Sequence, residues 1–133
     1  MHIKYDWRVS EAWNDGILRP RCTCDDASDN FKGLVFSFLN DDEDHGLEYL
    51  TNWVDEGLNE VEKINDEKLD YYDMWGHAWG ADITRNKVLI YWGYDDSKYE
   101  ENMSFECFYK ILKEWCKFIK TEPSLDYKVE FEC

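Results

Sequence analysis

The chain has 133 residues, 30 Asp and Glu against 15 Lys and Arg, and a formal net charge of −15. Such an imbalance is common in disordered chains, yet 44% of the residues are hydrophobic and 17% aromatic, with seven Trp. A chain with that many large apolar side chains can bury enough surface to offset its chain entropy. The composition therefore specifies one folded acidic domain over residues 1–133, disfavours direct binding to DNA or RNA phosphates, and favours a basic partner.

The acid is concentrated. Between Asp25 and Asp73 lie sixteen acidic residues opposed only by Lys32, Lys63 and Lys68, a net of −13 out of −15. A solvated surface that maintains solubility would give the same count. Over so long a segment, however, like charges repel and cost stability. The five Cys, at 22, 24, 107, 116 and 133, are odd in number. The opening residues Met1 to Asp6 carry no apolar signal region, so free thiols in a reducing cytosol are expected. No window approaches the roughly 18 apolar residues of a membrane span.

In chain order, His2 to Val9 reads as a loosely alternating strand, and residues 10–30 read as irregular, with Gly16, Pro20 and a polar run from Asp25 to Asn30. Phe31 to Leu39 reads as a central strand, apolar on both faces. After the acidic segment Asn40 to Asp44, apolar residues at Leu47, Leu50, Val54, Leu58 and Val61 predict an amphipathic helix. Glu48, Asp55 and Glu62 fall on its opposite face. Gly57 marks a place where another element could approach. Residues 65–73 read as a polar connection. The latter part of the aromatic stretch Met74 to Gly80, continuing to Thr84, forms a hairpin with Lys87 to Tyr94 about Arg85-Asn86, with Val88, Ile90 and Trp92 on one face and Leu89, Tyr91 and Gly93 on the other. Ser104 can cap a last helix running to Thr121, whose stripe is Phe105, Phe108, Leu112, Trp115 and Ile119. Pro123 follows, and Ser124 to Phe131 alternates as a final strand. The expected fold class is α+β, a mainly antiparallel sheet with two amphipathic helices packed on it.

No catalytic constellation stands out. Cys22-Thr23-Cys24 has no second Cys or His pair to complete a zinc site. There is no Gly-rich phosphate loop, nucleophile elbow or HExxH. A Cys–His nucleophile pair involving His77 has no supporting motif, and His77 reads as a packed strand residue. A calcium loop begun at Asn40 puts His45 where Gly is needed and Thr51 where Glu is needed. Carboxylate pairs of glycosidase type arise by chance among so many acids. No cofactor or metal is expected. Trp53, Trp92, Phe105, Phe108 and Trp115 fit core periodicity. Tyr71, Tyr72 and Trp75 do not. They lie beside Asp70 and Asp73, and read either as a loop packed on a sheet edge or as interface anchors, since Tyr and Trp dominate binding hot spots.

Trp79-Gly80-Ala81-Asp82-Ile83-Thr84 and Val88-Leu89-Ile90-Tyr91, followed by Met103-Ser104-Phe105-Glu106-Cys107-Phe108 and the helix to Trp115-Cys116-Lys117-Phe118, carry a resemblance over residues 75–120. In this hairpin-then-helix pattern the chain resembles the immunity proteins of bacterial polymorphic toxin systems, and among them the contact-dependent growth inhibition class. The resemblance implies a non-enzymatic cytoplasmic protein that binds the toxin domain of a delivered effector as a heterodimer and blocks its active site. For a nuclease toxin with a basic cleft, the expected contact surface is Asp41, Asp42, Glu43 and Asp44, with Glu48, Asp55 and Glu62 on the adjoining helix. Asp70, Tyr71, Tyr72, Asp73 and Trp75 would supply the anchoring. A DNA mimic that inhibits a restriction or DNA-binding protein is the alternative. Its carboxylates should follow phosphate spacing along an extended surface, whereas here the acid gathers at one loop and one helix. A small Cys or carboxylate enzyme is the third reading, and requires perturbed groups gathered in one pocket.

Overall fold

The computed structural model describes residues 2–9, 16–24, 33–41, 45–94 and 100–133. Among these, seven strands form two antiparallel sheets and three helices accompany them, which is the expected α+β class. One expected sheet is thus two, and two expected helices are three.

The first sheet has the order β2-β1-β7, with β1 at His2–Val9, β2 at Leu18–Cys24 and β7 at Lys128–Glu132. Alternation along β1 buries Ile3, Tyr5 and Trp7 on one face. In the antiparallel register Tyr5 faces Cys22 on one side and Val129 on the other. The strand β2 corrects the irregular reading of residues 10–30. Its composition, with Pro20, Arg19 and Arg21, hides it, but β2 is an edge strand, where a proline is tolerated.

The segment expected as a central strand at 31–39 is instead the short helix α1, Leu34–Leu39. An apolar run of that length suits a buried helix as well as a buried strand. Local chemistry decides for the helix. Gly33 at its start takes a left-handed φ of 71°. The buried Glu101 carboxylate accepts the Leu34 N–H at 3.1 Å, which places an anion at the helix start. At the other end Asn40 donates from Nδ2 to the Phe36 carbonyl at 2.7 Å.

The long helix α2, Leu47–Asn65, matches its expected span and buries Leu50, Val54, Val61 and Ile64. Gly57 is also buried. A Cβ there would lie 2.3 Å from Met74 Cε, so the absence of a side chain lets the second sheet approach α2 closely. That sheet has the order β3-β4-β5-β6, with β3 at Tyr72–Trp75, β4 at Trp79–Ile83, β5 at Val88–Trp92 and β6 at Glu100–Met103. The expected hairpin is β4–β5, with Ala81 opposite Ile90. The strands β3 and β6 were not expected, and His77 lies in the β3–β4 connection rather than in a strand.

Helix α3, Phe105–Ile119, is capped as expected by Ser104, whose side chain accepts the Cys107 N–H. It buries Phe105, Phe108, Leu112, Trp115 and Ile119, the whole expected stripe. The helices fill the space between the inner faces of the two sheets. Tyr5 packs against Trp115 and Phe118 with tilted rings at centroid distances of 5.0 and 5.6 Å, and its hydroxyl donates to the Ile111 carbonyl at 2.6 Å. Phe38 meets Trp53 edge-on at 5.1 Å, which ties α1 to α2. Of the five aromatics expected in the core, Phe105, Phe108 and Trp115 are fully buried, while Trp53 and Trp92 are half-buried. The expectation of five free thiols is corrected by a disulfide joining Cys107 to Cys133. The pairing follows from topology: β7 runs beside β1 under α3, so the chain end meets the first turn of α3, where Lys110 also donates to the Glu132 carbonyl at 2.7 Å. Cys22, Cys24 and Cys116 are not disulfide-bonded. No helix among the described residues is long and apolar enough to cross a membrane.

Candidate functional site

The strand β3 gathers the expected anchors. Alternation sends Tyr72 and Met74 inward and Asp73 and Trp75 outward, and Tyr71 continues the outer row. Cross-strand register sets Asp73 directly opposite Asp82 and Trp75 opposite Gly80. Gly80 in turn faces Tyr91, and Tyr91 faces Glu100. The outer face of the second sheet therefore carries Tyr71, Trp75, Leu89 and Tyr91 among the carboxylates of Asp73, Asp82 and Glu100. Tyr71 is 50% exposed and Trp75 43% exposed.

Two glycines hold the aromatic rings down on this face. A Cβ on Gly93 would lie 2.0 Å from Trp75 Cη2, and one on Gly80 would lie 2.6 Å from Tyr91 Cζ and 2.8 Å from Trp75 Cε3. The Trp75 indole thus rests across the bare backbone of β4 and reaches β5. On the inner side, the Trp53 indole N–H donates to the Trp75 carbonyl at 2.8 Å and fixes the strand to α2. The tyrosine hydroxyls fix the acids: Tyr71 donates to Asp82 Oδ1 at 2.7 Å, and Tyr91 donates to Asp73 Oδ1 at 2.9 Å. Donation to Asp82 pushes the Tyr71 hydroxyl up to about 12. Burial and then the Asp73 contact push Tyr91 up as well. Tyr72 is raised by burial and by the nearby charges of Glu56, Glu60 and Asp73, so the acids of α2 and of β3 meet around this phenol.

The other expected contact residues have separate fates. Asp41 has a role within the fold. Its Oδ2 accepts the backbone N–H groups of His77, Ala78 and Trp79 at 2.8, 2.7 and 2.9 Å and organises the β3–β4 turn. Asp42, Glu43 and Asp44 lie outside the described residues. Glu48 and Glu62 are exposed on α2. Asp55, on the same helix, is compensated by Lys120 at 2.6 Å and also accepts the Cys116 S–H; the Lys120 contact holds its carboxyl below the usual range. Asp70 is exposed at a cleft of about 470 Å³ shared with Glu67, Leu69 and Arg85.

Sequence reasoning missed Asp82, Tyr91 and Glu100. The first two were within reach, since the hairpin alternation already placed Tyr91 with Leu89 and Gly93 away from the Val88–Ile90–Trp92 face. What could not be read was β3, whose addition beside β4 turns that face into a site. Among the described residues no group of three or more His, Cys, Asp or Glu could hold a metal ion. His45, Tyr49 and His77 pack together, rings tilted, at centroid distances of 4.8 to 5.3 Å beside the Asp41 turn.

Comparison with known proteins finds no matching family, no matching curated protein and no matching solved structure.

Proposed function

We propose that this chain is an immunity-type inhibitor. In this reading it binds a cognate toxin domain, most simply a nuclease, as a heterodimer in the cytoplasm, and covers the basic cleft with an acidic surface. It has no catalytic activity, binds no nucleic acid directly and does not act at a membrane. The observation that carries the reading is the outer face of the second sheet, where Asp73, Asp82 and Glu100 lie among the exposed side chains of Tyr71 and Trp75. Carboxylates that occupy a phosphate-binding cleft exclude its RNA or DNA by like charge. Electrostatic complementarity also speeds capture, up to about 10⁸–10⁹ M⁻¹s⁻¹ at low salt. The acids cluster about one sheet face and one helix rather than along an extended line, which favours this reading over a DNA mimic.

The test is a pull-down with the tagged full chain from its native cytosol, with mass spectrometry and nuclease assays on the recovered partner. Recovery of a basic nuclease domain whose activity falls at one-to-one stoichiometry supports the proposal. Recovery of a restriction enzyme or DNA-binding protein instead supports the mimic, and turnover of a substrate by the chain alone overturns both. The cytoplasmic placement has its own readout. A reducing cytosol would keep Cys107 and Cys133 as thiols, so their state on rapid alkylation of cells reports the compartment.

A further inference from the structure

Asp73 and Asp82 are direct cross-strand partners. Like charges in that relation are destabilising, and a cation between them would offset the repulsion. Among the described residues neither carboxylate has a Lys, Arg or His partner; each holds only a tyrosine hydroxyl, on Oδ1. Both Oδ2 atoms remain for a further donor. The flanking rings are an indole and a phenol, 6.1 Å apart between centroids and inclined by 32°, resting over two glycines. An uncompensated carboxylate pair beside aromatic rings suits a planar cation, which can stack on an aromatic face and pair with carboxylates through a fork of N–H donors.

We infer that the outer face of the β3–β6 sheet is the docking surface, and that its occupant is an arginine-bearing basic protein surface, with one guanidinium on Trp75 and Tyr91 paired with Asp73 and Asp82. A lysine would supply charge without the planar stack or the fork, so arginine is favoured. The inference rests on the proposed function only for the partner's identity. The surface and the chemistry of its occupant stand on the geometry.

The experiment uses the full chain, labelled for NMR, with an octa-arginine peptide as probe and octa-lysine and octa-citrulline as controls. Octa-arginine should shift the Trp75 indole N–H and the amides of Asp73, Gly80, Asp82 and Gly93. It should bind several-fold more tightly than octa-lysine, and octa-citrulline should not bind. Trp75→Ala should weaken binding about tenfold. Because that variant could loosen the sheet, Asp73→Asn with Asp82→Asn is the second variant. It should weaken binding at least tenfold without lowering Tm. Shifts centred on Glu48 and Glu62 of α2, equal binding of the arginine and lysine peptides, or unchanged affinity in both variants would overturn the inference. So would the same shifts produced by calcium or by a neutral oligosaccharide. If a nuclease domain is recovered by pull-down and both variants still hold it, this docking surface fails and the inhibitory function stands. If octa-arginine binds here as described and no nuclease is recovered, the surface stands and the function fails.

Discussion

The two sheets turn opposite kinds of surface to solvent. The outer face of β2-β1-β7 carries Lys4, Arg8, Arg19, Arg21 and Lys128 in a chain of net charge −15, and its acids each meet an Arg or His side chain. Asp6, only 3% exposed, is held by Arg21 at 3.1 Å and Arg8 at 3.2 Å. Glu132 receives His2 at 2.7 Å, and the His2 contact holds its carboxyl below the usual range. The outer face of β3-β4-β5-β6 carries Asp73, Asp82 and Glu100 with no basic residue among its described, paired strand positions; Lys87 stands at the margin, where β5 begins. On the first face negative charge is met by basic side chains within the fold. On the second it is left over, next to aromatic rings, and a leftover of that kind is what a partner can complete.

Breaking the first region should cost the most. Cys133→Ser releases the clip between β7 and α3, which closes a 26-residue separation. It should lower stability by about 3 kcal/mol, measured by urea denaturation against the oxidised chain. A cost below about 1 kcal/mol would show that β7 is held by its ladder alone. Next, Asp41→Ala strips the acceptor from three backbone N–H groups at the turn that presents β3. It should cost about 2–3 kcal/mol and increase hydrogen exchange at His77, Ala78 and Trp79. Unchanged exchange at those amides would contradict the role given to Asp41. Asp6→Asn leaves Arg8 and Arg21 without their charged acceptor and should cost about 1–2 kcal/mol in the same assay. An unchanged midpoint would mean that the first face does not depend on its own compensation.

The smallest effect is a titration. The Tyr71 hydroxyl, donating to Asp82, is raised from 10.0 to about 12. A group raised in the folded state contributes its stability fully below its unfolded value and loses it as pH climbs through the folded one. The Tyr71–Asp82 contact is therefore intact below pH 10 and is lost as pH approaches about 12. Asp82→Asn should bring the Tyr71 absorbance titration back toward 10, the value of an unperturbed phenol. A midpoint that stays high in this variant would place the cause elsewhere.

Much of this architecture is legible in the residues, and the failures have physical causes. Leu47 to Ile64 and Phe105 to Ile119 repeat at helical spacing over several turns, and only a helix buries both sets. The β4–β5 hairpin alternates cleanly about a polar turn. Leu34 to Leu39 is too short for its period to separate helix from strand, and the deciding acceptor, Glu101, lies 67 residues away. The strands β2, β3 and β6 are edge strands of mixed composition, visible only once a neighbour supplies their ladders. For the site, Tyr71, Asp73 and Trp75 stand out by breaking the surrounding pattern, and the structure brings them together. Asp41 looks like one acid among many in sequence, because its three N–H donors lie 36 to 38 residues further along the chain.

The central claim is that Asp73 and Asp82 serve a partner rather than the fold. The direct measurement is urea denaturation of the Asp73→Asn, Asp82→Asn double variant. Neutralising the pair relieves a cross-strand repulsion and leaves each tyrosine hydroxyl an oxygen to donate to, so stability should change by less than about 0.5 kcal/mol. A loss of about 2 kcal/mol or more, the size expected when a buried charged hydrogen bond is broken, would make these carboxylates structural and contradict the account.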